Sequence, residues 1–394
     1  MDNMNKIVKD ISGVTINLES EYSTRDIFKT ILRQKDAANN LALYDLSKLK
    51  SLIHNWNQKL PNVRPFYAVK SNPDLQIISK LAHLGAGFDF ASAKELESAR
   101  TININFETDA ICAQPFKSEE FCSSISNSGV VYATFESVEE LQIAANFGMR
   151  NLKFILLIEG GDEKDIPAGY RKFGAVKSEY RNIFLDAGIL GLKISGISFY
   201  VGHSMKNTDA FYKAIENASE AWKIAEEFGF IMEILDIGGG FSESNFSSAA
   251  VDVTRGLDEF FSEKNIRIVA EPGKYFSESV LSTCNTIINK TIKIVEGNTI
   301  IEYTLSDGIE GAFYFLSFSK DNVVTPIFMG ENDNSQSYSI FYGPKGEKIA
   351  ECEFPLVEIG DKVSFEKMGA YSNIFTESVS NEDLNYSKLY LDEQ

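Results

Sequence analysis

Eight short apolar runs, each followed by a helical pattern, constrain the fold of this chain more than any other feature. The runs are Phe66–Val69, Gly87–Phe90, Asp109–Cys112, Val130–Thr134, Phe154–Ile158, Gly196–Val201, Ile234–Ile237 and Ile266–Ala270. Helical periodicity is clear at Leu75–Leu84, Ala93–Arg100, Val138–Phe147, Ala210–Phe228 and Val251–Glu263, and weaker after Gln114 and after Val176. Strands that alternate with amphipathic helices must pair in parallel, because each crossover returns the chain to the same end. Eight such units over roughly 210 residues fit a closed (β/α)₈ barrel. The apolar faces of the helices are assigned to its core.

The flanks read differently. Residues 1–40 mix short apolar runs with charge and define no element, whereas Leu41–Leu46 is strand-like and Ser47–Leu60 helical. After Tyr275 the pattern is β-rich at Thr283–Ile294, Thr299–Leu305, Val323–Phe328, Tyr338–Tyr342, Lys348–Phe354 and Lys362–Phe365, with Gly- and Asn-containing turns between. The predicted class is therefore α/β plus all-β: a barrel over residues 41–275 and a C-terminal β domain over 276–394. A polar tail from Thr376 carries a candidate terminal helix.

Composition narrows the function. A net charge of −18 argues against nucleic acid and anionic membranes as partners. Met1-Asp2-Asn3-Met4-Asn5-Lys6 has no apolar leader, and no run approaches the roughly 20 apolar residues of a membrane span. Cys112, Cys122, Cys284 and Cys352 lack CxxC spacing, and His54, His83 and His203 are not clustered, so neither disulfides nor a metal site is expected. The expectation is a cytoplasmic protein acting on small molecules.

In such a barrel the chemistry lies at the C-terminal strand ends. Those ends carry Lys70, Asp89 with Glu95 just beyond, the run Asp236-Ile237-Gly238-Gly239-Gly240, and Glu271-Pro272-Gly273-Lys274. Lys70 closes the aromatic run Pro65-Phe66-Tyr67-Ala68-Val69, where a partly desolvated amine can lose its proton and attack a carbonyl; the alternative is a surface lysine at a strand end. Three successive glycines let backbone N–H groups approach a phosphate, or make a tight turn. Glu271 can face a ring nitrogen, or pair with Lys274 or another cation. Together the set describes pyridoxal phosphate: an amine for an imine, glycines for the phosphate and an acid for the pyridine nitrogen.

These stretches, with Lys172-Phe173-Gly174 and Phe365-Glu366-Lys367-Met368-Gly369-Ala370-Tyr371, resemble the eukaryotic ornithine decarboxylase family over nearly the whole chain. The resemblance implies an alanine-racemase-type barrel plus a β domain joined by the first residues, pyridoxal 5'-phosphate as cofactor, and decarboxylation of a basic amino acid to a polyamine precursor such as putrescine. It assigns Lys70 to the Schiff base, Asp89 and Glu95 to the acids beside it, Gly238, Gly239 and Gly240 to the phosphate, Glu271 to the pyridine nitrogen and Tyr371 to the phosphate. Dimers are implied, homodimeric or heterodimeric with a family member, and antizyme is a candidate partner.

The departures point to altered chemistry. The family's histidine that stacks on the cofactor falls at Tyr200, and its phosphate-binding serine segment at His203 and Ser204. An arginine of the fifth strand is Leu157, and the phosphate-site arginine is Lys274. Among substrate positions, the distal-amine aspartate is Ser319, the family's Asp-Gly-Val-Tyr-Gly-Ser-Phe places Glu310 at its tyrosine, and the Gly-Pro-x-Cys-Asp segment is Gly343-Pro344-Lys345-Gly346-Glu347. These losses imply a decarboxylase with an altered substrate. The alternative is a non-catalytic, antizyme-inhibitor-like regulator, and substitution of the missing acids by Glu310 or Glu347 is a third reading.

Overall fold

The computed structural model describes residues 6–10, 15–18, 23–34, 40–115, 117–160, 173–202, 209–318, 322–330, 336–374 and 386–393. They form two compact units, Lys50–Phe276 and the residues before and after it.

In the first unit all eight predicted runs are parallel strands of a closed barrel: Val63–Ala68, Gly87–Phe90, Ala110–Cys112, Tyr132–Phe135, Lys153–Glu159, Lys193–Tyr200, Ile234–Asp236 and Arg267–Ala270. Phe66, Ile111, Tyr132, Ile155, Ile234 and Val269 pack together as its interior. Helices start where short polar side chains satisfy free N–H groups: Asp74 accepts from Gln76 N, Ser118 from Phe121 N and Ser137 from Glu140 N. The weak patterns after Gln114 and Val176 are the helices Glu119–Ser126 and Tyr180–Leu190. The pattern at Val251 belongs to a helix that begins earlier, at Phe246.

Trp56, on the helix Ser47–Lys59, is the aromatic hub of this unit. It is fully buried, donates Nε1–H to the Val63 carbonyl at 2.8 Å, and has ring centroids of Phe241, Phe246 and Tyr275 at 5.1, 5.0 and 5.4 Å. Phe241 follows the glycine run and Tyr275 follows Glu271, so the packing beneath both segments is shared.

The second unit is a mostly antiparallel sheet. Its order is Lys348–Pro355, Gln336–Tyr342, Asn298–Leu305, Leu281–Val295, Asn40–Asp45, Tyr386–Glu393, Lys6–Asp10 and Thr15–Leu18, with Lys362–Phe365 also on Leu281–Val295 and Ile327–Phe328 beside it. The run at Leu41, placed at the head of the barrel segment from sequence, is thus a strand of this sheet. Residues within 1–40 contribute two strands and the helix Thr24–Gln34, whose Ile27, Phe28 and Ile31 pack on Leu41, Leu43, Cys284 and Leu391. The expected terminal helix is corrected: Tyr386–Glu393 is a strand, held between Asn40–Asp45 and Lys6–Asp10. Of Val323–Phe328, only Ile327–Phe328 pairs. Among the described residues no helix is long and apolar enough to cross a membrane.

Removing the Trp56 indole leaves a large cavity against the aromatic rings of Phe241, Phe246 and Tyr275. Trp56→Ala is expected to cost about 3–5 kcal/mol, read as a lowered urea midpoint; a change below about 1 kcal/mol would contradict the hub.

Candidate active site

Strand Val63–Ala68 ends two residues before Lys70, and the chain enters a 3₁₀ turn, Val69–Ser71. The turn buries Val69 and Ser71 while the Lys70 side chain keeps 41% of its surface, reachable yet within 2.9 Å of Asp89 Oδ2. Asp89 is fully buried, and its Oδ1 accepts the Ala113 N–H at 3.2 Å. Both oxygens are satisfied, which is what lets a charge sit there.

Glu95 serves the next helix. Its carboxylate accepts the Ala91 N–H at 2.7 Å while Ser92 Oγ accepts the Glu95 N–H at 3.2 Å, a reciprocal cap for Ala93–Ala99. Burial raises its carboxyl to about 7, against the Ala91 N–H that favours the anion.

The glycine run follows the strand Ile234–Asp236. Gly238 has φ +63°, and a Cβ there would lie 1.9 Å from the Phe199 carbonyl oxygen. Gly240 has φ +99°, and its Cβ would lie 2.9 Å from the Gly202 oxygen. A Cβ on Gly239 would come within 3.5 Å of the Tyr200 ring, so that ring lies beside the run. Asn245 Nδ2 donates to the Gly240 carbonyl at 2.9 Å, tying the loop to the start of Phe246–Phe260. Glycine backbone ahead of a helix N-terminus is a cradle for an anion.

Glu271 donates its N–H to the Gly238 carbonyl at 2.7 Å. Its side chain shares a hydrogen bond with Asp236, and Oε1 is shut off from solvent with no hydrogen-bond partner among the described residues. Burial, then the Asp236 charge, hold Glu271 well above the usual carboxylate range, and burial raises Asp236 to about 6. Ala68 N–H donates to the Pro272 carbonyl at 3.3 Å, so the Lys70 turn and the Glu271 segment are neighbours. Lys274 opens the short helix Lys274–Ser277.

The barrel thus brings together Lys70, Asp89, Glu95, Tyr200, Gly238, Gly239, Gly240 and Glu271, with Leu157 in the strand Lys153–Glu159. Lys172, His203, Ser204 and Ser319 lie outside the described residues. Sequence reasoning passed over Asp236 and Ser198 as site residues, although an acid ending a buried apolar strand was a signal. It also missed Lys117, whose buried Nζ donates to the Gln114 and Thr134 carbonyls 3.7 Å from Glu140 Oε1. Glu140 accepts the Glu136 N–H, and Glu136 the Gly174 N–H, each at 2.7 Å.

In the β unit, Asp307 accepts N–H groups of Gly308 and Ala312 at 2.7 and 2.8 Å and the Tyr386 hydroxyl at 2.7 Å. Glu347 accepts the Ile309 N–H on Oε1 and the Lys345 N–H on Oε2, both at 3.0 Å. Its carboxylate is seated so close that a Cβ at Gly308 or Gly343 would meet Oε1 at 1.8 or 2.1 Å. Glu310 pairs with Lys345 on the surface. Tyr371 has φ +57°, a strained value for a bulky residue, and its ring meets Phe318 edge-on at 6.0 Å.

Residues 46–278 match the model of a family described as pyridoxal-dependent decarboxylase, pyridoxal binding domain. The chain belongs to this family. Ornithine decarboxylase 2 of Drosophila melanogaster is 30% identical over 90% of this chain and 92% of its own. Antizyme inhibitor 2 of Xenopus laevis is also 30% identical, over 90% of this chain and 82% of its own. The arginine decarboxylase of Paramecium bursaria Chlorella virus superposes with a TM-score of 0.86 at 29% identity, covering 93% of this chain and all of that one. The cofactor is pyridoxal 5'-phosphate, and the residues present fit it. An orphaned Glu271 oxygen awaits a proton-bearing partner, the glycine run leaves room that a Cβ would fill, and an accessible amine lies beside a buried acid.

Cofactor added to the protein should therefore give a visible absorbance band that borohydride reduction fixes to Lys70. Lys70→Ala is expected to abolish the band with an unchanged far-ultraviolet circular dichroism spectrum, since this residue lies outside the core. A label on another lysine would refute the assignment.

Proposed function

We propose that this chain is a pyridoxal-phosphate amino-acid decarboxylase whose substrate is not unmodified ornithine. The observation that carries the reading is the pairing of a reachable Lys70 with a buried Asp89 in the same barrel mouth as the orphaned Glu271 oxygen. An unmet buried acceptor costs about 1–3 kcal/mol, which a scaffold with no chemistry has no reason to carry.

When bound, the cofactor supplies an electron sink for the carbon that loses carbon dioxide. This chain's residues hold and orient it. Lys70 offers the amine, and Asp89 fixes where that amine points. The N–H groups of Gly238, Gly239 and Gly240 take the phosphate, with Lys274 and Tyr371 as further candidates. Tyr200, whose ring lies beside Gly239, would be the residue to stack on the cofactor. Glu271, with an unpartnered Oε1, would accept the N–H of the pyridinium and so keep that proton in place.

Substrate choice rests on the β unit. A distal ammonium needs a carboxylate when it leaves water, and losing such a partner costs roughly 2–5 kcal/mol. Glu347 accepts backbone N–H groups on both oxygens, Glu310 is an exposed residue already paired with Lys345, and Ser319 carries no charge. This arrangement supports a substrate whose distal group is not a bare ammonium, in a homodimer as the commonest assembly. The second reading, a regulator that binds a family member or antizyme without catalysing, draws on the equal identity to antizyme inhibitor 2.

Turnover of ornithine is expected to fall on the order of 30- to 1000-fold or more below that of family decarboxylases, at tenfold per about 1.4 kcal/mol. The test is a screen for amine products and carbon dioxide over a panel of amino acids. Release from another substrate supports the first reading; efficient release from ornithine refutes it, and silence across the panel with cofactor bound favours the regulator. Glu271→Gln should keep the cofactor yet lose whatever turnover the screen finds, because an amide cannot hold the pyridine nitrogen protonated.

A further inference from the structure

The strand Ile234–Asp236 ends on a carboxylate that no solvent reaches. Asp236 Oδ1 accepts the Gly238 N–H at 2.9 Å, Oδ2 accepts the Ser198 hydroxyl at 2.8 Å, and the group shares a hydrogen bond with Glu271. One side chain therefore touches both the first glycine of the phosphate run and the acid with the orphaned oxygen. Two carboxyl groups in hydrogen-bond contact, one of them fully buried, do not both ionise, so one proton lies between them. Asp236 already accepts from Gly238 and Ser198, which favours it as the anion and leaves the proton on Glu271. That proton lies on the contact with Asp236, and Glu271 Oε1 has no donor among the described residues. The other charged groups felt by Glu271 are Asp89, which opposes a second negative charge, and Lys70, which favours it.

We propose that Asp236 is a positioning residue for the cofactor: with Glu271 it forms a pair that holds one proton and one negative charge, the proton able to pass to Asp236 so that Glu271 would face the pyridine nitrogen as the anion, while Asp236 holds Gly238 of the phosphate run in place. This rests on the position of Glu271 opposite the ring nitrogen argued above. A pyridinium opposite the singly charged pair is balanced, and opposite a doubly protonated pair it is not. Burial brings Asp236 to about 6. The pair's contribution to cofactor affinity is therefore present above that pH and lost as pH falls through it.

Asp236→Asn is the informative substitution. The amide N–H replaces the shared proton and the amide oxygen can still accept from Gly238, so the pair keeps one charge, now always on Glu271. Glu271 also loses the like charge that raised it, which moves the acid loss of affinity to lower pH. Asp236→Ala offers no such replacement.

The experiment is titration of cofactor into the apoprotein, followed by visible absorbance between about pH 5 and 8. Asp236→Asn is expected to bind within about threefold of the parent at neutral pH with an acid-shifted midpoint, and Asp236→Ala to bind roughly tenfold or more weakly. Lys70 and the cofactor's own ionisations are common to every variant, so only differences between them count. Ser198→Ala removes a donor to the Asp236 anion, and its midpoint should move the other way, to higher pH; this keeps the test open if the asparagine variant folds poorly. An asparagine variant as weak as the alanine one, or midpoints that do not move, would overturn the proposal. Glu271→Gln runs alongside. If it too changes neither affinity nor profile, the position of Glu271 itself is wrong; if it alone changes them, only the role of Asp236 falls.

Discussion

Parallel strands that close on themselves leave no freedom in register, and the site inherits its geometry from that closure. Ala68 lies opposite Asp89, so a turn that carries the chain two residues past Ala68 brings Lys70 to the Asp89 carboxylate. Asp236 lies opposite Ser198 on one side and Val269 on the other, which puts the Ser198 hydroxyl on Asp236 and Glu271 two residues beyond. A slip of one residue in any of these pairs would turn the side chains to the opposite face of the sheet. The ladder of backbone hydrogen bonds is thus the constraint on which the chemistry depends.

The barrel mouth is unusual in its charge. Asp89, Glu95, Asp236 and Glu271 converge there, and each has a different means of bearing burial. Asp89 has Lys70 and a backbone N–H; Glu95 sits near neutrality as a helix cap; Asp236 and Glu271 share a hydrogen bond. Buried carboxylates without partners shed their charge or cost several kcal/mol. A site of this kind is prepared for a ligand that brings positive charge on one side and phosphate on the other, and the glycine run supplies the second requirement without adding a cation of its own.

Much of this was legible in the residues. The alternation of apolar runs and helical periods led to all eight barrel strands, because period and spacing are local properties. The residues that failed to announce themselves depend on distant partners. The strands Lys6–Asp10 and Tyr386–Glu393 mix charged with apolar residues and are fixed by pairing with each other, and the second also with Asn40–Asp45. The helix Phe246–Phe260 starts early because Trp56 stacks on Phe246. From sequence, Glu347 is a candidate substitute for a missing acid of the site. Its use as a staple between two loops requires knowing that Gly308 and Gly343 leave it room. The same holds for Lys117, whose burial among carbonyls no periodicity foretells.

The strand Asn40–Asp45 has one further consequence, for synthesis. Its neighbours in the sheet are Leu281–Val295 and Tyr386–Glu393, both made after the entire barrel. As the chain leaves the ribosome, the barrel segment can close while this strand waits with both edges bare. The sheet is completed only when Tyr386–Glu393 emerges, after the barrel and the other strands of the sheet. A stop codon before Tyr386 would therefore spare every residue of the barrel and yet leave Leu41 and Leu43 short of Leu389 and Leu391, a lasting exposed edge of the kind chaperones and proteases recognise.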